Sequence, residues 1–163
     1  MRVVSDTSPL SNLALIGRLG LLREQFAEVL MPRAVSRELS ALRDATASLT
    51  LDRAMADGWL KETALPDDSP FPSELQGLDP GETEALRLAL SISADRVLMD
   101  EWDGRMRATA LGVRTIGVLG VLIVGKRSGS IVSMKVEIAR LREEAGFFIS
   151  RDLQEQVLAM AGE

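Results

Sequence analysis

The sequence predicts an α/β fold, with a central parallel sheet of four or five short strands and helices on both faces. Three observations lead there. Short apolar runs recur along the chain, at Val3-Val4, Val29–Met31 and Val97–Met99. Between them lie longer segments with helical spacing and their own start and stop residues. Strand and helix therefore alternate, which is the pattern of a parallel sheet joined by right-handed crossovers. At 163 residues the chain has room for one such domain and buries enough surface to need no staple.

The elements follow in order. Val3 and Val4 open a strand that ends at Ser5-Asp6. Ser8-Pro9 reads as an N-cap with a first-turn proline, starting a helix to about Ile16. Gly17 and Gly20 break it, and Leu19–Phe26 is a second short helix. Glu28–Met31 is a strand stopped by Pro32, which opens the helix Arg33–Leu42. Ala45–Asp57 is helical and Gly58 closes it, before a short strand within Trp59–Leu65. Pro66–Gly77, rich in Pro, Asp and Ser, is a loop. Asp79-Pro80 starts a helix to about Ser93, and Arg96–Met99 is the strand that ends at Asp100-Glu101. Gly104–Leu111 is helical, Val113–Thr115 is the last strand, and three helices follow: Gly117–Lys126, Val132–Glu144 and Asp152–Met160.

Composition removes whole classes of chemistry. There is no cysteine, histidine or tyrosine. Disulfides, Cys/His zinc sites, thiol nucleophiles, Ser-His-Asp triads and imidazole bases are excluded. An enzyme built from this chain relies on carboxylates, Lys/Arg, Ser/Thr or a metal, and carboxylates favour hard cations such as Mg²⁺ or Mn²⁺. The start of the chain lacks an apolar stretch of signal-peptide length, and runs such as Val121–Val124 are far too short to span a membrane. A cytoplasmic location is the expectation.

The net charge of −5 argues against nucleic acid, but its distribution is uneven. Residues 52–84 carry nine acids against two bases, whereas residues 104–142 carry eight bases against Glu137 alone. The basic stretch is either a set of solvated helix faces or a phosphate-binding flank beside an acidic centre. With Trp59, Trp102 and four Phe as the only aromatics, base stacking is not an obvious mode of readout.

Four acids stand out. In open α/β sheets, ligands bind at the carboxyl ends of the strands, and both Asp6 and Asp100 follow a strand. Asp6 also fits a turn residue that caps the next helix. Glu38, in PRAVSREL, adjoins the apolar stripe Val35, Leu39, Leu42, and fits either an inward or a solvated position. Glu82, in LDPGETEAL, completes a capping box with Asp79. Asp100, Glu101 and Asp103 crowd three carboxylates into four residues, which a metal would explain economically.

The blocks SDTSPLSNLALIGRLGLL, PRAVSREL, LDPGETEALRLAL, VLMDEWDGR and GVLGVLIVGKRSG, in this order, resemble a PIN-domain protein. The resemblance runs from Val3 to about Leu158 and is closest to a prokaryotic toxin-like branch, similar to VapC-type ribonucleases. It implies a three-layer α/β/α fold and a Mg²⁺- or Mn²⁺-dependent ribonuclease that cleaves single-stranded RNA by metal-activated water. It also implies a homodimer and a small antitoxin partner. On it, Asp6, Glu38, Glu82 and Asp100 are catalytic. Asp6, Glu82 and Asp100 hold the metal, with Glu101 or Asp103 as the extra acid. Arg105, Lys126 and Arg127 are the candidate RNA contacts, and Arg105 also fits an ion pair with Asp100 or Asp103. A non-catalytic PIN scaffold that binds RNA or a protein is the alternative.

Two other motifs fall away. Gly120–Lys126 nearly spells a P-loop, but Arg127 stands where the magnesium hydroxyl belongs, and Val121–Val124 favour burial over a phosphate cradle. An aspartyl phosphatase built on Asp6 wants a second Asp two residues on, where Ser8 stands.

Overall fold

The computed structural model describes residues 1–163. Five strands form one sheet: β1 (Val3–Ser5), β2 (Val29–Met31), β3 (Leu60–Glu62), β4 (Arg96–Leu98) and β5 (Thr115–Ile116). Their order is β3-β2-β1-β4-β5 and every pairing is parallel. The nine α-helices are α1 (Thr7–Leu15), α2 (Gly20–Phe26), α3 (Arg33–Ser40), α4 (Ala45–Ala56), α5 (Pro80–Ile92), α6 (Trp102–Ala110), α7 (Val118–Ser128), α8 (Met134–Ala145) and α9 (Arg151–Met160). No helix is long and apolar enough to cross a membrane.

Strand alternation divides the interior in two. Val3, Val29, Met31, Leu60 and Leu98 point into the larger core, shared with α1, α2, α4, α7 and α8. Val4, Val97 and Met99 point into the smaller one, against α5 and Ala108 of α6. Both sheet faces are thus covered, the condition under which all-parallel sheets are found. β1 is the middle strand, and all three of its residues are buried. In register, Ser5 lies opposite Leu98, and the Asp6 amide donates to the Leu98 carbonyl at 2.9 Å. The chain therefore leaves β1 and β4 side by side and in the same direction, which brings Asp6 and Asp100 to the same edge.

Several boundaries differ from the sequence reading by one or two residues, and two of these shifts have a clear physical reason. The last strand is Thr115–Ile116, not Val113–Thr115, because the Val113 amide closes the end of α6 by donating to the Ala108 carbonyl. Helix α6 begins at Trp102, before Gly104. Gly104 is there for packing: a Cβ on it would stand 2.5 Å from Met99 Sδ. The 66–77 loop contains one 3-10 turn, Ser73–Leu75, and Arg107 of α6 ties it down through the carbonyls of Glu74 and Gln76.

Candidate functional site

The carboxyl edge of the sheet collects acids from four segments. Asp6 follows β1 at the N-cap position of α1, yet its side chain makes no capping bond. It is only 3% exposed, and its Oδ1 has no hydrogen-bond partner. Glu38 reaches the same place from α3, where its Oε2 accepts from Thr7 Oγ1 and its Oε1 accepts from the Gly81 amide at 3.1 Å. Asp79, at the N-cap of α5, completes the group. Carboxylate oxygens of Asp6, Glu38 and Asp79 all lie within 4.8 Å of one another.

Gly81 makes room for this convergence. A Cβ there would stand 2.7 and 2.9 Å from the two Glu38 oxygens and 3.0 Å from Asp6 Oδ1. The first turn of α5 also holds the capping box expected from LDPGETEAL. Asp79 Oδ1 accepts from the Glu82 amide at 2.8 Å, and Glu82 Oε2 accepts from the Asp79 amide at 3.2 Å. Glu82 is buried, with its Oε1 turned toward Gly104 of α6.

Asp100 forms the other corner. Its Oδ1 accepts from the Val118 amide at 2.7 Å, at the N-terminus of α7, where free N–H groups favour an anion. Its Oδ2 is buried without a partner. Gly117 is the second close approach: a Cβ on it would meet Asp100 Oδ1 at 2.8 Å and Arg105 Nη1 at 3.1 Å. Arg105 Nη1 donates to the Met99 carbonyl at 3.0 Å.

Electrostatics follow from burial. Burial pushes the Asp6 carboxyl up to about 7; the Thr7 amide opposes this, and Asp79, Glu82 and Glu38 add to it by repulsion. Glu82 is raised by burial first, and then by the charges of Asp79, Glu101 and Asp103. Asp100 is pushed up to about 6 by burial, against the Val118 amide, the Arg105 charge and the Asn12 side chain, which lower it. These groups resist carrying their charges together unless a cation joins them. An orphaned buried oxygen, a glycine that leaves the space beside it open, and an all-oxygen donor set fit a hard divalent ion at Asp6, Glu38 and Asp79.

The residues singled out from the sequence are distributed as follows. Asp6 and Glu38 meet, with Asp79 completing the trio and Glu82 bonded beside it. Asp100 leaves the adjacent strand with Arg105 close by. Glu101 and Asp103 are exposed, near enough for their charges to act on Glu82, and Asp103 is paired with Arg107 at 3.3 Å. Lys126 and Arg127 sit in the last turn of α7, about 12 Å along the helix from Val118 at ~1.5 Å per residue. There Lys126 pairs with Glu163 at 3.2 Å, so this part of the basic stretch serves the far end of α7 and not the acidic edge.

Sequence reasoning treated Asp79 as a cap alone and passed over Thr7 and Asn12. Thr7 had a signal, since it directly follows Asp6. Asn12 had none short of the fold, because only α1 carries it back to Asp100.

Among curated proteins none matches the chain. A family model described as PIN domain matches residues 2–163. With the all-parallel five-stranded sheet, helices on both faces and the carboxylates at its edge, the chain belongs to the PIN-domain family, a family of metal-dependent nucleases.

Proposed function

We propose that this chain is an endoribonuclease that cleaves single-stranded RNA with Mg²⁺ or Mn²⁺ held at the acidic edge. The observation that carries the reading is the buried, unpartnered Asp6 Oδ1 beside Glu38 and Asp79, in a chain without His, Cys or Tyr. When bound, the ion would supply an acidified water and a counter-charge for the phosphodiester. Asp6, Glu38 and Asp79 would hold it. Thr7 and the Gly81 amide orient Glu38 for that task, as the outer hydrogen bonds of metal ligands do. Asp100 is fixed by the Val118 amide and supplies a second carboxylate corner, with Glu82 between the two and Glu101 as the freer extra acid. Arg105 is the phosphate contact in this reading.

The family resemblance extends the proposal to the toxin of a toxin–antitoxin pair, acting as a cytoplasmic homodimer with a small antitoxin protein as partner. Co-purification with the product of a neighbouring reading frame tests that part. The activity is tested on a mixed RNA pool, comparing the unmodified chain with Asp6→Asn, each with Mn²⁺ and with EDTA. Degradation confined to the unmodified chain with Mn²⁺ is the expected result. Absence of degradation together with absence of Asp6-dependent Mn²⁺ binding in calorimetry would overturn it in favour of a binding scaffold.

A further inference from the structure

We propose that the cleft beside Asp100 is a nucleobase subsite, in which an unpaired base stacks on Trp102 and Phe148 while Arg105 takes the adjoining phosphate. The proposal rests on the nuclease reading and names the part of the substrate that this side of the site would hold. The cleft has a volume of about 700 Å³, within the range of small-molecule sites, and it is continuous with the carboxylate edge through Asp100 and Arg105.

Its aromatic residues are placed against the usual preference. Trp102 is 73% exposed and Phe148 is 87% exposed, whereas Trp59 is 8% exposed in the larger core. Large rings contribute most when buried, and leaving two of them in water forgoes that stabilisation. They come from unrelated elements, Trp102 from the first residue of α6 and Phe148 from the link between α8 and α9, yet both line this one cleft. Ile116 and Leu119 give it an apolar wall.

Charge selects the occupant. An apolar peptide would find a carboxylate and a guanidinium at the inner end of the cleft. A nucleotide uses both regions: its base lies on the rings and apolar wall, and its phosphate lies toward Arg105 and the acidic edge. Arg105 is held there by the Met99 carbonyl. Ring faces are available only on unpaired bases, so the subsite would select single strands.

The test uses the full chain with Mg²⁺ and a fluorescently labelled, single-stranded 2′-O-methyl phosphorothioate oligonucleotide, which resists hydrolysis. Its partner is an abasic oligomer of equal length and charge. The base-bearing strand should quench the exposed tryptophan emission and bind at least 5-fold tighter than the abasic one, since stacking supplies ~1–3 kcal/mol per base. Trp102→Ala and Phe148→Ala should bring its affinity, read by anisotropy, down toward the abasic value. Trp102→Phe keeps a ring and should retain most of the affinity, which guards against a fold defect. Phe71→Ala, which removes an exposed ring packed on Arg87, should bind like the unmodified chain. Equal affinity for the two strands, or an equal loss in Phe71→Ala, would overturn the subsite. So would a Trp102→Ala chain that binds RNA normally but sediments as a smaller species, because the cleft would then belong to a protein partner or second copy. Cleavage with base-independent binding defeats the subsite alone. Base-dependent binding without any metal-dependent cleavage defeats the nuclease reading alone.

Discussion

Asp6 and Glu137 are equally hidden, at 3% and 2% exposure, and the chain treats them in opposite ways. Glu137 of α8 is given cations. Its Oε1 accepts from Arg18 Nη2 at 2.6 Å and from Arg18 Nε at 3.1 Å, and Arg140 Nη1 stands 3.7 Å from its Oε2. That hydrogen bond is also the main reason the Arg18 guanidinium is held above its ordinary pKa. Asp6 is given only more acids: Glu38, Asp79 and Glu82. A buried charge is tolerated when it is paired and hydrogen-bonded. The chain had arginines to spend on such pairing, since it used two of them at Glu137. Glu137 Oε2 also lacks a hydrogen bond but faces the Arg140 charge, whereas the unpartnered Asp6 Oδ1 at the sheet edge faces only like charges. The difference separates a carboxylate that closes a packing interface from one that is completed by a cation from outside.

Exchanging the two roles is the strongest way to break the comparison. Asp6→Asn should lower RNA cleavage on the order of 10²-fold or more, the scale of losing a group that acts on developing charge. Without metal it should leave the fold intact and slightly stabilise it near neutral pH, because repulsion among the acids is relieved. Glu137→Gln should do the reverse. Cleavage per folded molecule should hold, while stability in urea drops by about 1–3 kcal/mol. That figure is below the fully buried range, because both arginines are one-third exposed and their pairing is screened by water. Loss of stability without loss of activity in Asp6→Asn would erase the distinction.

The space around Asp6 gives the next largest effect. Gly81→Ala places a carbon within 3.0 Å of Glu38 and Asp6 oxygens, so the Glu38 carboxylate must move off the Gly81 amide. Mn²⁺ affinity in calorimetry should fall by about 10–100-fold, as it does when the support of a metal ligand is removed. Thermal stability without metal should change little by comparison, since Gly81 has no left-handed backbone to give up.

The contrast between Asp6 and Glu137 was half legible in the sequence. Asp6 and Asp100 could be found because each follows a short apolar run, and parallel strands deliver their ends to one edge. β1, β2 and β4 were legible for the same reason. β5 was displaced because Val113 has strand propensity, but its amide is needed to finish α6. Asp79 was hidden by having two roles: its capping of Glu82 accounts for it fully in sequence, and only the fold shows it facing Asp6. Glu137 was invisible as a buried ion, because Arg18 lies more than a hundred residues away. Lys126 and Arg127 were candidates because the basic stretch begins right after Asp103, but α7 carries its last turn away from its first.

pH dependence sharpens the comparison further. The folded pKa of Asp6, about 7, lies above its ordinary value of 3.8, and that of Asp100 is about 6. A raised acid is stabilised in its protonated form by folding. Its contribution is complete below about pH 4 and is lost as the pH climbs through 6 and 7. The metal-free chain should therefore lose thermal stability across that window, and Mn²⁺ should restore more of it at pH 8 than at pH 5.5, where protons compete for the same oxygens. Asp6→Asn should flatten most of the slope. A metal-free melting temperature that rises from pH 5 to pH 8 would contradict the burial of these charges.

The smallest effect concerns Glu82, and it decides whether α5 serves the site through its cap or directly. Glu82 Oε2 accepts from the Asp79 amide, and a glutamine can accept the same bond. Glu82→Gln should thus keep the helix start, with stability changing by less than about 1 kcal/mol. Removing its charge relieves repulsion with Asp79, Glu101 and Asp103, and leaves the Asp6, Glu38 and Asp79 oxygens in place. Cleavage should fall only a few-fold, through a weaker field at the edge. Asp79→Ser is the matched comparison, because serine caps nearly as well as aspartate but brings no charge. It should reduce Mn²⁺ affinity well beyond what Glu82→Gln does, at similar stability. If the order is reversed, Glu82 is the carboxylate that α5 sends to the metal and Asp79 is only its cap. The cation then sits nearer Gly104 and Asp100 than Gly81 and Glu38.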